Sequence, residues 1–261
     1  MADHFESCVT QNLSHHMTIG EREAQILSEL EQDPQEVKKG HVLWTVGMRP
    51  DQLYTLRSGW AYSYHCLGEN TIRVLDIFIP GDLLGIRDAT LPHHYTTAAM
   101  LTDGIICPFP TGRIKDIFET HPNLAMGIHA SAARQQAVIT DRLINVLSND
   151  ARCRIAHFIL EIYYRIKRVH GDLGSGFTLP LLQKHISLAL GLTHVHVSRI
   201  LKELHEDNVI KKTRTEIEIL DLTCLHQISN FDAEKFGDGM NPLLAGDSKP
   251  EDRKGVSAKT K

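Results

Sequence analysis

The segment from Leu179 to Asp221 constrains the fold more than any other part of the chain. Pro180 to Leu190 reads as a short helix, and Gly191 at its end can take the left-handed conformation of a tight turn. Leu192-Thr193 completes the turn, with Thr193 as the N-cap of a second helix from His194 to about Glu206. Val197, Ile200, Leu201 and Leu204 share one face of that helix, so His194, Val195, His196, Ser198, Arg199 and Lys202 point outward. Asn208-Val209-Ile210, then Lys211-Lys212-Thr213-Arg214 and the alternating Glu216-Ile217-Glu218-Ile219-Leu220, read as a basic β-hairpin. Two short helices joined by a glycine turn and followed by such a hairpin form a winged helix-turn-helix, whose second helix fits the DNA major groove.

The charge distribution agrees with that pattern. Ala151 to Thr215 holds eleven Lys/Arg against five acids, a local +6 on a chain whose net charge is −4. A basic segment on an acidic chain is the footprint of one DNA-contacting module. Charge by itself leaves open that the cations only solvate helices.

Residues 1–18 are polar and read as a flexible extension, and Thr18 with Glu21 resembles a capping box that opens a short helix. From Val37 to about Phe109, short apolar or alternating stretches recur between turn signals at Gly40, Gly47, Ser58-Gly59, Gly68-Glu69-Asn70 and Pro80-Gly81-Asp82. That spacing predicts an antiparallel sandwich or roll. After Pro110 the period becomes helical. Leu124, Ile128, Ala132, Gln135, Ile139, Leu143 and Val146 form one stripe of a long helix, whose small residues in its first half permit close approach of another helix. The stripe fits either a partner subunit or the chain's own core. Asp150 can cap a further helix to about Val169, and Gly237 to Lys261 has a disordered composition.

Gly191-Leu192-Thr193-His194-Val195-His196-Val197-Ser198-Arg199-Ile200-Leu201-Lys202-Glu203-Leu204 closely resembles the recognition-helix motif of the Crp/Fnr superfamily of transcription regulators. Lys39-Gly40, Tyr54 to Gly59 and Phe78 to Gly85 resemble the corners of its sensor domain, and Asp150 to Ala156 resembles the start of its DNA-binding domain. The resemblance spans about residues 19–230. It implies an α+β chain with a cyclic-nucleotide-binding-like β-roll (19–115), a dimerisation helix (116–148) carrying the Leu124-to-Val146 stripe and a winged helix-turn-helix (149–230), while the polar composition of 1–18 and 231–261 reads as a flexible extension and a flexible tail.

The resemblance further implies a homodimer on pseudo-palindromic double-stranded DNA, with RNA polymerase as a protein partner. Arg199, Ser198, Val195, His194 and His196 are the expected base contacts, and Thr193, Lys202, Lys211, Lys212 and Arg214 the phosphate contacts. Relatives that bind cyclic AMP carry a Gly-Glu pair and a nearby Arg-Ser or Arg-Thr. Here Ile86 to Thr97 offers only Arg87, ahead of the expected position, and no Glu, so an effector other than cyclic AMP, or none, is expected.

The five cysteines are scattered, without the closely spaced N-terminal set that an iron–sulfur relative needs. Among sixteen histidines, His15-His16, His65-Cys66 and His93-His94 invite a metal reading, but neighbours on a strand point to opposite faces. No cofactor, metal or catalytic residue is assigned, since the one His-x-His, His194-Val195-His196, lies on the recognition helix. A pocket around His93-His94 for some other ligand stays open, and so does a β-roll sensor whose main output is protein–protein interaction. No apolar run approaches the length that spans a bilayer, and the cytoplasm is the expected compartment.

Overall fold

The structure, a computed structural model, describes residues 7–68, 71–171, 173–174 and 176–233. Glu69-Asn70 of an expected turn, residues 1–6 of the expected extension and 234–261 of the expected tail lie outside the described residues.

Ser7 opens α1 (Cys8–Ser14) by accepting a hydrogen bond from the Thr10 N–H at 3.1 Å, and α2 (Glu21–Glu29) follows. Val9, Leu13 and Met17 recur every four residues and are buried with Leu27, Leu30, Leu53, Phe109 and Leu124. This corrects the flexible extension expected over 1–18: its described part docks an apolar face on the core. Gly20, not Thr18, is the N-cap of α2, and no side chain caps it, because Glu21 is already the first helical residue.

The sensor domain is built from β1 (Gln35–Val37), β2 (Val42–Trp44), β3 (Gln52–Ser58), β4 (Ala61–Cys66), β5 (Ile72–Phe78), β6 (Leu83–Leu84), β7 (Thr97–Met100) and β8 (Gly104–Pro110). They pair antiparallel in two sheets, ordered β1-β8-β3-β6 and β2-β7-β4-β5. Between the sheets lie Trp44, Tyr54, Leu56, Phe78, Leu84, Met100 and Ile106. The β3–β4 corner needs glycine: Gly59 has φ +82°, and a Cβ there would sit 2.6 Å from the Asp103 carbonyl oxygen.

The boundary expected at 115/116 falls inside α3 (Gly112–Thr120). The chain breaks instead at His121, and Pro122 occupies the first turn of α4 (Pro122–Ser148), where its missing N–H costs nothing. At 27 residues α4 is about 40 Å long. Asp150 accepts from the Cys153 N–H at 2.9 Å to start α5 (Ala151–His170). Then come β9 (Gly176–Thr178), α6 (Gln183–Leu190), α7 (His194–Glu206), β10 (Ile210–Lys212), β11 (Glu216–Ile219) and α8 (Leu222–Ser229). Sequence reasoning missed two of these. Strand β9 pairs with β11, making the wing three-stranded, and its three residues among glycines carry too little pattern to read. Helix α8 packs on α5 and had a legible start, since Asp221 accepts from the Cys224 N–H at 2.8 Å.

One hydrophobic core runs from the β-roll into the DNA-binding region, with Trp60, Val74, Ile77 and Ile79 packed among Ile155, Phe158, Ile162 and Phe177. Beside it lies a buried ionic network. The Arg142 guanidinium makes a two-pronged contact to Glu161, at 2.9 and 2.5 Å, and donates to the Leu75 carbonyl at 3.0 Å. Arg165 donates to the Ile77 carbonyl at 2.8 Å and to Asp82 at 3.0 Å, so both arginines tie helices to the sensor sheet. No helix among the described residues is long and apolar enough to cross a membrane.

Candidate nucleic-acid interface

Helix α6 ends at Gly191, whose φ of +64° lets the chain reverse, and Thr193 then accepts from the His196 N–H at 3.2 Å to start α7. Val197, Ile200, Leu201 and Leu204 are buried, as their spacing predicts. The start of α6 is closed by His185, whose Nδ1 accepts from the Leu182 N–H at 3.1 Å. Burial, then Lys184 and Lys39 nearby, hold the imidazole neutral with its pKa lowered to about 4.

The unfolded chain, in which a histidine titrates near 6.5, therefore takes up this proton first. The contribution of His185 to stability is complete above that value, falls as the pH drops towards 4, and is flat below. In urea unfolding between pH 7 and 4.5, His185→Gln should lose less stability than the wild type; parallel pH curves would contradict the capping role.

The outward face of α7 is open. Val195 is 73% exposed, and with Arg199 and Lys202 it forms the crest of the helix. Among the described residues, Arg199 and Lys202 pair within their own helix, with Glu203 at 3.8 Å and Glu206 at 3.4 Å. His194 and Ser198 lie on the flank towards the wing. They line a cleft with Lys202, Lys212 and Arg214, about 720 Å³ in volume, whose far wall is the start of α6. His196 is exposed on the opposite flank, and Thr193 caps the helix from outside the cleft lining.

Strand alternation separates two residues of the expected phosphate set. Lys212 lines this cleft, and burial pulls its pKa down, whereas Lys211 pairs with Glu218 at 3.9 Å and lines a separate cleft with Phe177. Gln183, Lys184 and His205 also line the larger cleft and had not been assigned. Lys184 was detectable, being a cation at the start of the first helix of the motif.

A family model described as a cyclic nucleotide-binding domain matches residues 34–121, and one described as a Crp-like helix-turn-helix domain matches residues 153–228. The chain belongs to the Crp/Fnr superfamily. It is 25% identical over 228 residues to the fumarate and nitrate reduction regulatory protein of Yersinia pestis, covering 87% of this chain and 91% of that one. It is also 25% identical over 235 residues to the anaerobic regulatory protein of Haemophilus influenzae, covering 90% and 91%. The fold matches FixK2 from Bradyrhizobium japonicum with a TM-score of 0.68 at 21% identity, covering 75% of this chain and 96% of that one. This Crp/Fnr protein is accordingly a transcription regulator with a helix-turn-helix, and its relatives are regulators rather than enzymes.

In this Crp/Fnr regulator the long helix carries two apolar faces, and the expected interface stripe needs correction. Leu124, Ile128 and Gln135 are buried within the subunit, the first two against α1 and α2, so they have no surface left for a partner. Ala132, Ile139 and Val146 are half-buried, and Leu143 is exposed. The open face is rotated from the expected one. Met126, Ala133, Thr140 and Leu147 recur every seven residues, with Ala130, Ala137 and Ile144 between them.

The sensor loop commits its charges to neighbours within the fold. Arg87 pairs with Asp76 at 2.7 Å, and Asp88 holds His94 at 2.9 Å. His94 is buried and stacked on Trp44 with ring centroids 4.6 Å apart, while His93 is exposed; the pair lies in the loop before β7, so strand alternation does not account for the difference. No group of three or more potential metal-binding side chains occurs among the described residues.

Proposed function

We propose that this regulator binds a pseudo-palindromic DNA site as a homodimer, each α7 entering one major groove, with half-sites about 34 Å apart. The observation that carries this reading is the open face of α7 beside a cationic cleft shaped by α6 and the wing. Arg199 on the crest can donate two bonds to guanine O6 and N7, and Val195 can touch a thymine methyl. Ser198, His194 and His196 on the flanks supply adaptable contacts. Thr193, Lys202, Lys212 and Arg214 position the sugar–phosphate strand, Lys184 adds to them, and Lys211 meets the backbone only if the wing lies flat on it.

The effector is proposed to be something other than cyclic AMP. Arg87, the only arginine of the loop, already neutralises Asp76, so a cyclic phosphate there would face no free cation from that loop. RNA polymerase in the cytoplasm is the proposed protein partner of the DNA-bound dimer.

Binding selection on randomised DNA tests the reading. Arg199→Ala should cost about 1–3 kcal/mol and flatten preference at one base pair per half-site. Lys212→Ala should weaken all sequences alike and reduce the salt slope by about one. A selected motif unchanged by Arg199→Ala would mean that α7 is not the helix in the groove.

A further inference from the structure

His205 stands in the last turn of α7, exposed, and lines the cleft with Lys184 of α6, His194 and Lys202 of its own helix, and Lys212 and Arg214 of the wing. No carboxylate lines the cleft among the described residues. Of the two acids that follow His205 in the chain, Glu206 pairs with Lys202 at 3.4 Å and Asp207 with Arg152 at 2.6 Å. The ring therefore faces a cationic space shaped by three elements.

Two observations fix what the ring can do there. Its Nδ1 lies 3.3 Å from the Ile210 carbonyl oxygen. A carbonyl can only accept, so Nδ1 carries the hydrogen and Nε2 is the nitrogen left to gain or lose a proton. Neutral, Nε2 presents a lone pair to a phosphate oxygen; protonated, it donates a charge-assisted hydrogen bond to one. The second observation is position. The last turn of a helix is the negative end of its dipole and favours a cation, whereas His194 opens α7 at the positive end. His205 lies about 16 Å along the axis from His194, so when the start of α7 meets base edges its end is carried towards the strand that borders the groove.

We propose that His205 is a proton-linked phosphate contact: its imidazolium holds the sugar–phosphate strand that crosses the cleft, and its proton is taken up as the DNA binds. This role rests on the DNA-binding reading above and makes affinity depend on pH. A phosphate brings negative charge to the ring, and negative charge nearby favours the protonated form. Where the free ring is neutral, binding takes up one proton per subunit, and affinity rises as the pH falls. His185 and His16, whose pKa values are held down at about 4 and about 3, stay neutral between pH 6 and pH 8 and add nothing to that dependence.

The test is titration of the full chain with a palindromic duplex taken from the binding selection, over a range of salt at pH 8 and at pH 6. The wild-type salt slope should be steeper at pH 6 by roughly one to two per dimer, with affinity higher by roughly tenfold. His205→Gln keeps a donor for the Ile210 carbonyl but gains no charge, so most of the difference between the two pH values should disappear. His205→Lys, charged at both, should show the steeper slope at pH 8 as well. His194→Gln should retain the pH difference whatever it does to affinity. A wild-type slope equal at both pH values, a His205→Gln protein with the wild-type difference, or a difference abolished by His194→Gln would each overturn the role and leave the DNA-binding reading in place. Absence of site-specific binding at either pH would overturn both.

Discussion

The double variant Ile144→Glu/Leu147→Glu is expected to be a folded monomer whose affinity for a full palindrome falls by roughly 10²–10⁴-fold. Leu147 is 74% exposed, Leu143 55% and Ile144 54%, an apolar cluster at the end of a helix whose opposite face is already spent on the core. With Met126 it continues a seven-residue repeat, the spacing at which two helices keep a common seam. Two carboxylates per subunit placed in that seam would be buried without partners. The affinity loss follows from linkage: in a dimer, binding of the second half-site is intramolecular, and a monomer forfeits that effective concentration, typically worth roughly 10²–10⁴. Sedimentation and DNA titration read the two quantities. Leu124→Ala is the counterpart, because Leu124 is fully buried within the subunit; it should lower thermal stability and leave the dimer intact. Dimers that persist in the double variant would place the interface elsewhere.

Glu161→Ala is expected to cost about 3–5 kcal/mol, the penalty for removing one partner of a buried ion pair. Glu161 has no exposed surface and receives both prongs of Arg142 as well as Arg165 at 3.5 Å. Without it, the Arg142 guanidinium keeps only the Leu75 carbonyl among the contacts described above. For a chain of this size the melting temperature should drop by on the order of 10 °C. Replacing both partners by apolar groups, as Arg142→Met/Glu161→Leu, should recover most of the loss, since the charge is then removed rather than stranded. Urea unfolding measures both variants. A Glu161→Ala protein within 1 kcal/mol of wild type would show that water reaches the pair and that it behaves as a surface salt bridge.

The local part of this protein was legible in its sequence. Gly191, Thr193 and the Val197–Leu204 stripe act within a turn or two of backbone, so capping, chain reversal and the inward face of α7 follow from residue chemistry at short range. The same holds for the glycine corner at Gly59. Which of two apolar faces on α4 is covered by the subunit itself and which stays open was decided only in three dimensions. Periodicity shows that Leu124, Ile128 and Leu143 share a face; it cannot show that α1, read as flexible, folds over the first two. The split of Lys211 from Lys212 follows from the pairing register of β10 with β11, set by the whole wing. The contact of Arg168 with His16 joins residues more than a hundred positions apart, and contacts of that range leave no periodic trace in a sequence because they arise only when separately folded elements pack.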